Sequence, residues 1–68
     1  MPPRPTDTMN KLREMIAQAV SQNVIIPNDV MEWLTDNGWE YEMPTRMTVE
    51  SILKENKVVY VWGRWEKK

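Results

Sequence analysis

Apolar residues recur every three to four positions along the first third of the chain, and polar side chains fill the positions between them. This period predicts one amphipathic helix, running from Thr6 or Thr8 to about Gln22, with a threonine as its N-cap. The inward positions are Met9, Leu12, Ile16, Ala19 and Val20, with Met15 beside them.

The next apolar run, residues 24–26, is short, β-branched and followed by Pro27. Three residues are too few for a helix, so this run predicts a single strand or an extended staple. Apolar positions then return at helical spacing, and they predict a second helix from about Asn28 that ends before Gly38, a residue suited to the left-handed backbone beyond a helix C-terminus. Its inward residues are Val30, Trp33 and Leu34, with Met31 on the flank.

Thr45 follows Pro44 and is suited to cap the N-terminus of a third helix, and Asn56 is suited to the left-handed backbone at its end. A threonine cap, helical spacing and an asparagine stop therefore predict a helix over about 45–56. The inward face is predicted to consist of Met47, Val49, Ile52 and Leu53.

The residues after this helix predict a β-hairpin. Residues 57–61 are rich in β-branched and aromatic side chains, and Gly63 permits the positive φ of a two-residue turn at Trp62 and Gly63. Residues 64–66 then return antiparallel to the first strand. This register places Tyr60 opposite Trp65 on one face of the hairpin. We expect Trp65, like Trp33, to be a core residue, and Trp62 to be at least partly exposed at the turn.

The predicted order is helix, strand, helix, helix, strand, strand (α-β-α-α-β-β), an α+β fold in which the single strand joins the hairpin in a three-stranded sheet. Residues 45–66 resemble the recognition helix and wing of winged helix-turn-helix proteins, and with the first helix and the short strand the resemblance covers about 6–66. The resemblance is carried by Thr45-Arg46-Met47-Thr48-Val49, Ile52-Leu53, Val58-Val59-Tyr60 and Gly63-Arg64-Trp65. It implies a small DNA-binding protein whose third helix enters the major groove.

Length and composition limit the alternatives. Sixty-eight residues form at most one domain, here residues 6–68, and the proline-rich residues 1–5 predict a flexible arm. The chain has no cysteine and no histidine, which argues against a disulfide, a zinc site or a resident cofactor. Without a nucleophile–base pair or a phosphate-binding glycine loop, we expect no catalytic residues and no enzyme activity.

Charge divides unevenly along the chain. Residues 1–43 carry seven acids and three bases, a net charge of −4, whereas residues 44–68 carry six bases and three acids, a net charge of +3. This asymmetry predicts an electropositive face on an acidic body. No apolar run is long enough for a membrane span and no export signal is evident, so the sequence predicts the cytoplasm or the interior of a host cell.

The candidate DNA-binding residues lie on the third helix and the hairpin. Arg46, at the start of the helix, is suited to bidentate bonds with guanine, and Glu50 could accept from cytosine but would also repel phosphates. Arg64 and the C-terminal lysines suit phosphate contacts, although lysines there also keep an edge strand soluble. The candidates are Thr45, Arg46, Thr48, Glu50, Ser51, Lys54, Trp62, Arg64, Lys67 and Lys68.

Two functional hypotheses follow. The first is a DNA-binding regulatory or architectural protein acting on double-stranded DNA, which with so few bases would bind weakly and would work as a homodimer or a cooperative assembly. The second is a protein-interaction module on the same scaffold, such as an accessory factor or a phage-encoded inhibitor of a host protein. Its partner would dock on the acidic region 29–42, which contains no basic residue.

Overall fold

The computed structural model describes residues 5–68, with side chains from residue 7 onward. Three helices are followed by a two-stranded antiparallel hairpin, which confirms the α+β class. The elements are α1 Pro5–Ser21, α2 Pro27–Asp36, α3 Arg46–Glu55, β1 Val58–Val61 and β2 Arg64–Lys67. The order along the described residues is therefore α-α-α-β-β.

The first helix begins earlier than its pattern predicts. It starts at Pro5, so Thr6 and Thr8 both lie inside α1 and the prediction of a threonine N-cap is wrong. Proline suits a first helical turn because its φ is already helical and its missing N–H would have no intrahelical partner. The predicted arm, residues 1–5, otherwise lies outside the described residues.

The predicted strand at residues 24–26 is wrong, because within residues 5–68 the sheet contains only β1 and β2. Residues 24–26 instead link the end of α1 to the start of α2. Asn23 adopts the left-handed conformation (φ 67°), and the Val24 N–H donates to the Ala19 carbonyl at 2.9 Å, which terminates α1. Pro27, which has no N–H, starts α2 only three residues later. The segment therefore packs against the core without entering the sheet.

The core is aliphatic and is drawn from all three helices and β1. Trp33 and Trp65, predicted to be core residues, are only half-buried and pack against its outside, as Trp39 does. Indole N–H groups need acceptors, and these lie at the rim: Trp33 Nε1 donates to Gln22 Oε1 at 3.3 Å. The buried residues are Leu12, Met15, Ile16, Ala19, Val20, Val30, Leu34, Val49, Ile52, Leu53 and Val58.

Two details of α3 differ from the sequence prediction. Met47, predicted to face inward, is 78% exposed, because it lies about 200° of helical rotation from the buried Val49. Asn56 has a φ of −97°, and the left-handed position falls one residue later, at Lys57 (φ 63°). The Asn56 side chain instead donates from Nδ2 to the Ile52 carbonyl at 2.9 Å.

The hairpin has the predicted register. Tyr60 pairs with Trp65, their ring centroids are 5.3 Å apart, and Val61 pairs with Arg64 across the turn. Both turn residues have positive φ, 54° at Trp62 and 80° at Gly63, which is the two-residue turn that matches the twist of the strands. The turn prediction at these two positions is therefore confirmed.

Candidate nucleic-acid interface

The N-terminus of α3 is fixed by the predicted threonine cap. The Thr48 N–H donates to Thr45 Oγ1 at 3.3 Å, and the two hydroxyl oxygens lie 3.0 Å apart. Both candidate phosphate-binding hydroxyls are therefore engaged with each other. They line a largely apolar groove between α1, the connector and α3, whose other walls include Met9, Leu12 and Met43. The structure thus separates Thr45 and Thr48 from the other α3 candidates.

Removing this cap should cost stability. We expect Thr45→Ala to lower the free energy of unfolding by about 1 kcal/mol, since the Thr48 amide loses its acceptor. The measurement is urea denaturation followed by circular dichroism. Ser51→Ala is the control, because Ser51 is exposed in the middle of the same helix and should change stability by less than about 0.5 kcal/mol. Equal losses in the two variants would contradict a capping role.

Three other candidates on α3 line a groove together with hairpin residues. Arg46, Glu50 and Lys54 follow one another at intervals of four residues, so they form a row along α3. This row and the rings of Tyr60 and Trp65 line one open groove of about 320 Å³. We call this the helix–hairpin groove. It brings two cations, one carboxylate and two aromatic rings together.

Arg46 is not a free cation. Its Nε lies 3.2 Å from Glu50 Oε1, one turn along the helix, in a pair whose arginine side chain is 60% exposed. Such exposed pairs contribute only about 0.3–0.5 kcal/mol, so a stronger acceptor can displace Glu50. The terminal guanidinium nitrogens of Arg46 make no hydrogen bond to another described residue. The pair therefore orients the side chain and leaves donors available.

The solvent-facing side of α3 includes a residue that the sequence interpretation placed in the core. Met47 and Ser51, one turn apart, are both exposed and lie beside the Arg46–Lys54 row. The sequence did contain the signal: Met47 pairs with Ser51 at a spacing of four residues, whereas Val49, Ile52 and Leu53 define the opposite face. Met47 therefore joins the candidate surface.

The hairpin bases lie next to this groove. Arg64 and Lys67 of β2 line a second groove with Asn23 and Ile25, and Trp65 lines both grooves. The two grooves thus adjoin at the Trp65 ring. Arg64 Nε lies 3.1 Å from Glu66 Oε1, so this arginine is also paired with an acid on its own strand.

Four lysines lie in the C-terminal part of the chain, and none of them forms an ion pair with another residue in the described part. The Lys68 N–H donates to the Lys57 carbonyl at 2.8 Å, so the last residue is anchored at the base of the hairpin. The four are Lys54, Lys57, Lys67 and Lys68.

Trp62 is more exposed than any other aromatic residue of the chain. It is 96% exposed at the hairpin tip, whereas Trp33, Trp39 and Trp65 are half-buried against the core. The sequence interpretation expected partial exposure at this turn position, and the structure gives nearly full exposure. An indole so placed is available to a ligand.

An acidic surface forms elsewhere on the molecule. Asp29, Glu32 and Asp36 line a groove along α2 with Trp33, and no acid between residues 29 and 42 forms an ion pair within the described residues. Nearby, Trp39 and Tyr41 pack edge to face with centroids 5.1 Å apart. The acids of α2 therefore line a groove of their own, which shares Asn23 with the groove of Arg64 and Lys67.

Residues 5–68 contain no group of three or more His, Cys, Asp or Glu side chains arranged to hold a metal ion. Among the helices described, none combines the length and apolarity needed to cross a bilayer.

Comparison with models of known protein families gave no match, and neither did comparison with curated proteins or with solved structures.

Proposed function

We propose that this protein binds double-stranded DNA as a small regulatory or architectural protein in a winged-helix-like manner, with α3 in the major groove and the hairpin on the backbone. The observation that carries the proposal is the helix–hairpin groove. One exposed row of α3, Arg46 to Lys54, faces the same groove as the hairpin rings, and the hairpin cations border that groove. Three helices followed by an antiparallel hairpin are compatible with this arrangement.

The dimensions and chemistry of α3 suit a major groove. A helix of ten residues is about 15 Å long, and the groove of B-DNA, about 12 Å wide, admits a helix. The exposed face offers an arginine for guanine, a carboxylate for cytosine and, at Met47, an apolar group for a thymine methyl. Side chains of these three kinds all take part in direct readout.

The charges argue for modest affinity. Glu50 and Glu66 neutralise part of Arg46 and Arg64, so the proposed phosphate contacts fall mainly to the unpaired Lys54, Lys57, Lys67 and Lys68, about four contacts in all. A single module of this kind would bind weakly, which favours a dimer or cooperative binding along the DNA.

The direct test is a fluorescence-anisotropy titration with a labelled duplex at several salt concentrations. With about four phosphate contacts, we expect affinity to fall about 10²-fold between about 50 and 200 mM salt. Lys54→Gln and Lys67→Gln should each weaken binding and flatten this dependence. Lys11→Gln is the control, because Lys11 lines a cleft with Trp39 and Tyr41 and not the proposed surface. No detectable affinity at low salt would overturn the proposal.

The acidic groove on α2 favours a second candidate, a protein-interaction module whose partner carries a basic surface. A titration with duplex DNA followed by amide chemical shifts separates the two. Shifts in 45–51 and 62–68 support DNA binding by α3 and the hairpin. Shifts confined to 29–42, or none, favour the protein partner.

A further inference from the structure

The backbone conformation of Trp62 is energetically unfavourable for a tryptophan. Trp62 is the first residue of the hairpin turn and has a φ of 54°, in the left-handed region where a side chain crowds its own backbone. Asparagine, aspartate and glycine are strongly preferred there. The fold does not need the indole, because the ring is 96% exposed. Strained residues without a structural role are often found at functional sites.

The surroundings of Trp62 indicate the chemistry of its ligand. Tyr60 is 59% exposed on the adjoining strand, and Arg64 follows the turn with its side chain 78% exposed. Lys67 lies further along β2, and the nearest acid along the chain, Glu66, is paired with Arg64. An exposed ring among cations fits a ligand that offers both an aromatic face and negative charge. A nucleotide base with its phosphate has both.

An intact duplex, however, hides the faces of its bases. Within a DNA duplex each base is covered on both sides by its stacked neighbours. An indole can therefore stack only on an unpaired base or between two base pairs that have been separated. Aromatic side chains stack on unpaired bases with a gain of about 5- to 100-fold in affinity per base. The exposed indole is therefore better matched to DNA in which a duplex adjoins unpaired nucleotides.

We propose that Trp62 stacks on an unpaired base, and that the preferred ligand of this protein is a junction between duplex and single-stranded DNA. The inference rests on the proposed function, since α3 and the basic hairpin would hold the duplex part. It adds the class of DNA that is recognised and the residue that recognises it.

The test compares a blunt duplex, the same duplex with a single-stranded tail, and the single strand alone, using wild-type protein, Trp62→Asn and Trp62→Phe. Wild type should bind the tailed duplex about 5- to 100-fold more tightly than the blunt one. Trp62→Asn should lose this preference and bind the tailed and blunt duplexes about equally. Trp62→Phe, which retains a ring, should keep part of the preference.

The same variants test the cost of the turn conformation. Asparagine tolerates the left-handed region, so Trp62→Asn should raise Tm by an amount on the order of 5 °C, whereas Trp62→Phe should leave Tm nearly unchanged. If Trp62→Asn is more stable than wild type and has lost the preference for the tailed duplex, misfolding cannot explain the lost preference. An unchanged or lower Tm for Trp62→Asn would overturn the premise that the indole is held at a cost.

The remaining outcomes separate this inference from the proposed function. Tight duplex binding with no preference for the tail, or an equal preference in Trp62→Asn, overturns the role of Trp62 and leaves duplex binding intact. Trp62-dependent binding of the single strand alone supports stacking and overturns the docking of α3 on a duplex. Binding to none of the three DNAs overturns both, and would make the indole an anchor for a protein.

Discussion

Leu53→Ala is expected to remove most of the folding stability of the protein. Leu53 is fully buried on α3, and truncating such a leucine costs about 2–5 kcal/mol in lost burial and cavity formation. A domain of this size has only about 3–5 kcal/mol to lose. Far-UV circular dichroism and a urea titration would show the loss of helix and of the cooperative transition.

Met47→Ala is the matched control on the same helix. Met47 is 78% exposed, so its truncation should change the free energy of unfolding by no more than about 0.5 kcal/mol. Ile52→Val adds an intermediate case, because a single buried methylene costs about 0.5–1.5 kcal/mol and leaves a measurable transition. Comparable losses for Met47→Ala and Leu53→Ala would place Met47 in the core, as the sequence pattern predicted.

The largest expected effect on binding is that of Arg46→Ala. Loss of one bidentate contact to a base should cost about 1–3 kcal/mol, or about 5- to 150-fold in affinity, and should relax base preference at one position. The measurement is competition binding with duplexes that differ by single base pairs. Lys68→Ala, which removes a phosphate contact, should instead weaken binding to all sequences alike.

Arg13→Ala is the control for Arg46→Ala. Arg13 lies on α1 and is also paired with an α3 carboxylate, its Nε lying 3.5 Å from Glu55 Oε2, but it lines neither basic groove. Its removal should leave DNA affinity nearly unchanged. Equal losses in the two arginine variants would indicate a general charge effect and would contradict base readout by Arg46.

Glu50→Gln tests the proposed contact between Arg46 and DNA by removing the acid that is paired with Arg46. The substitution removes the carboxylate 3.2 Å from Arg46 Nε, so the guanidinium is released and repulsion of phosphates is reduced. We expect affinity to increase for all sequences. A decrease confined to sites with a cytosine at one position would instead identify Glu50 as a base-reading residue, because its carboxylate can accept from cytosine N4.

Several features of the fold could be predicted because their signals are local. The Thr45 cap, the Gly38 position after α2 and the Trp62–Gly63 turn each depend on the backbone preferences of a few adjacent residues. The strand at residues 24–26 failed for the opposite reason. Its composition favours strand, but a left-handed Asn23 and an early α2 leave it too little chain to pair.

The candidate site was predicted in part. Arg46, Glu50 and Lys54 were each predicted as candidates, and the structure places all three on a shared groove with the hairpin. Thr45 and Thr48 were also candidates, but they line a different groove and bond to each other. Met47 was assigned to the core because its side chain is apolar, although its spacing from Val49 already places it on the opposite face of the helix.

The sequence by itself determined the three helices, the hairpin and its register, and the concentration of positive charge after residue 43, since caps, turns and alternation act over a few residues. Only the tertiary structure decided that the sheet stops at two strands, that the indoles of Trp33 and Trp65 lie at the rim, and that Trp62 stands free. Burial depends on how each helix is rotated against its neighbours, and that rotation is set by packing of the whole core.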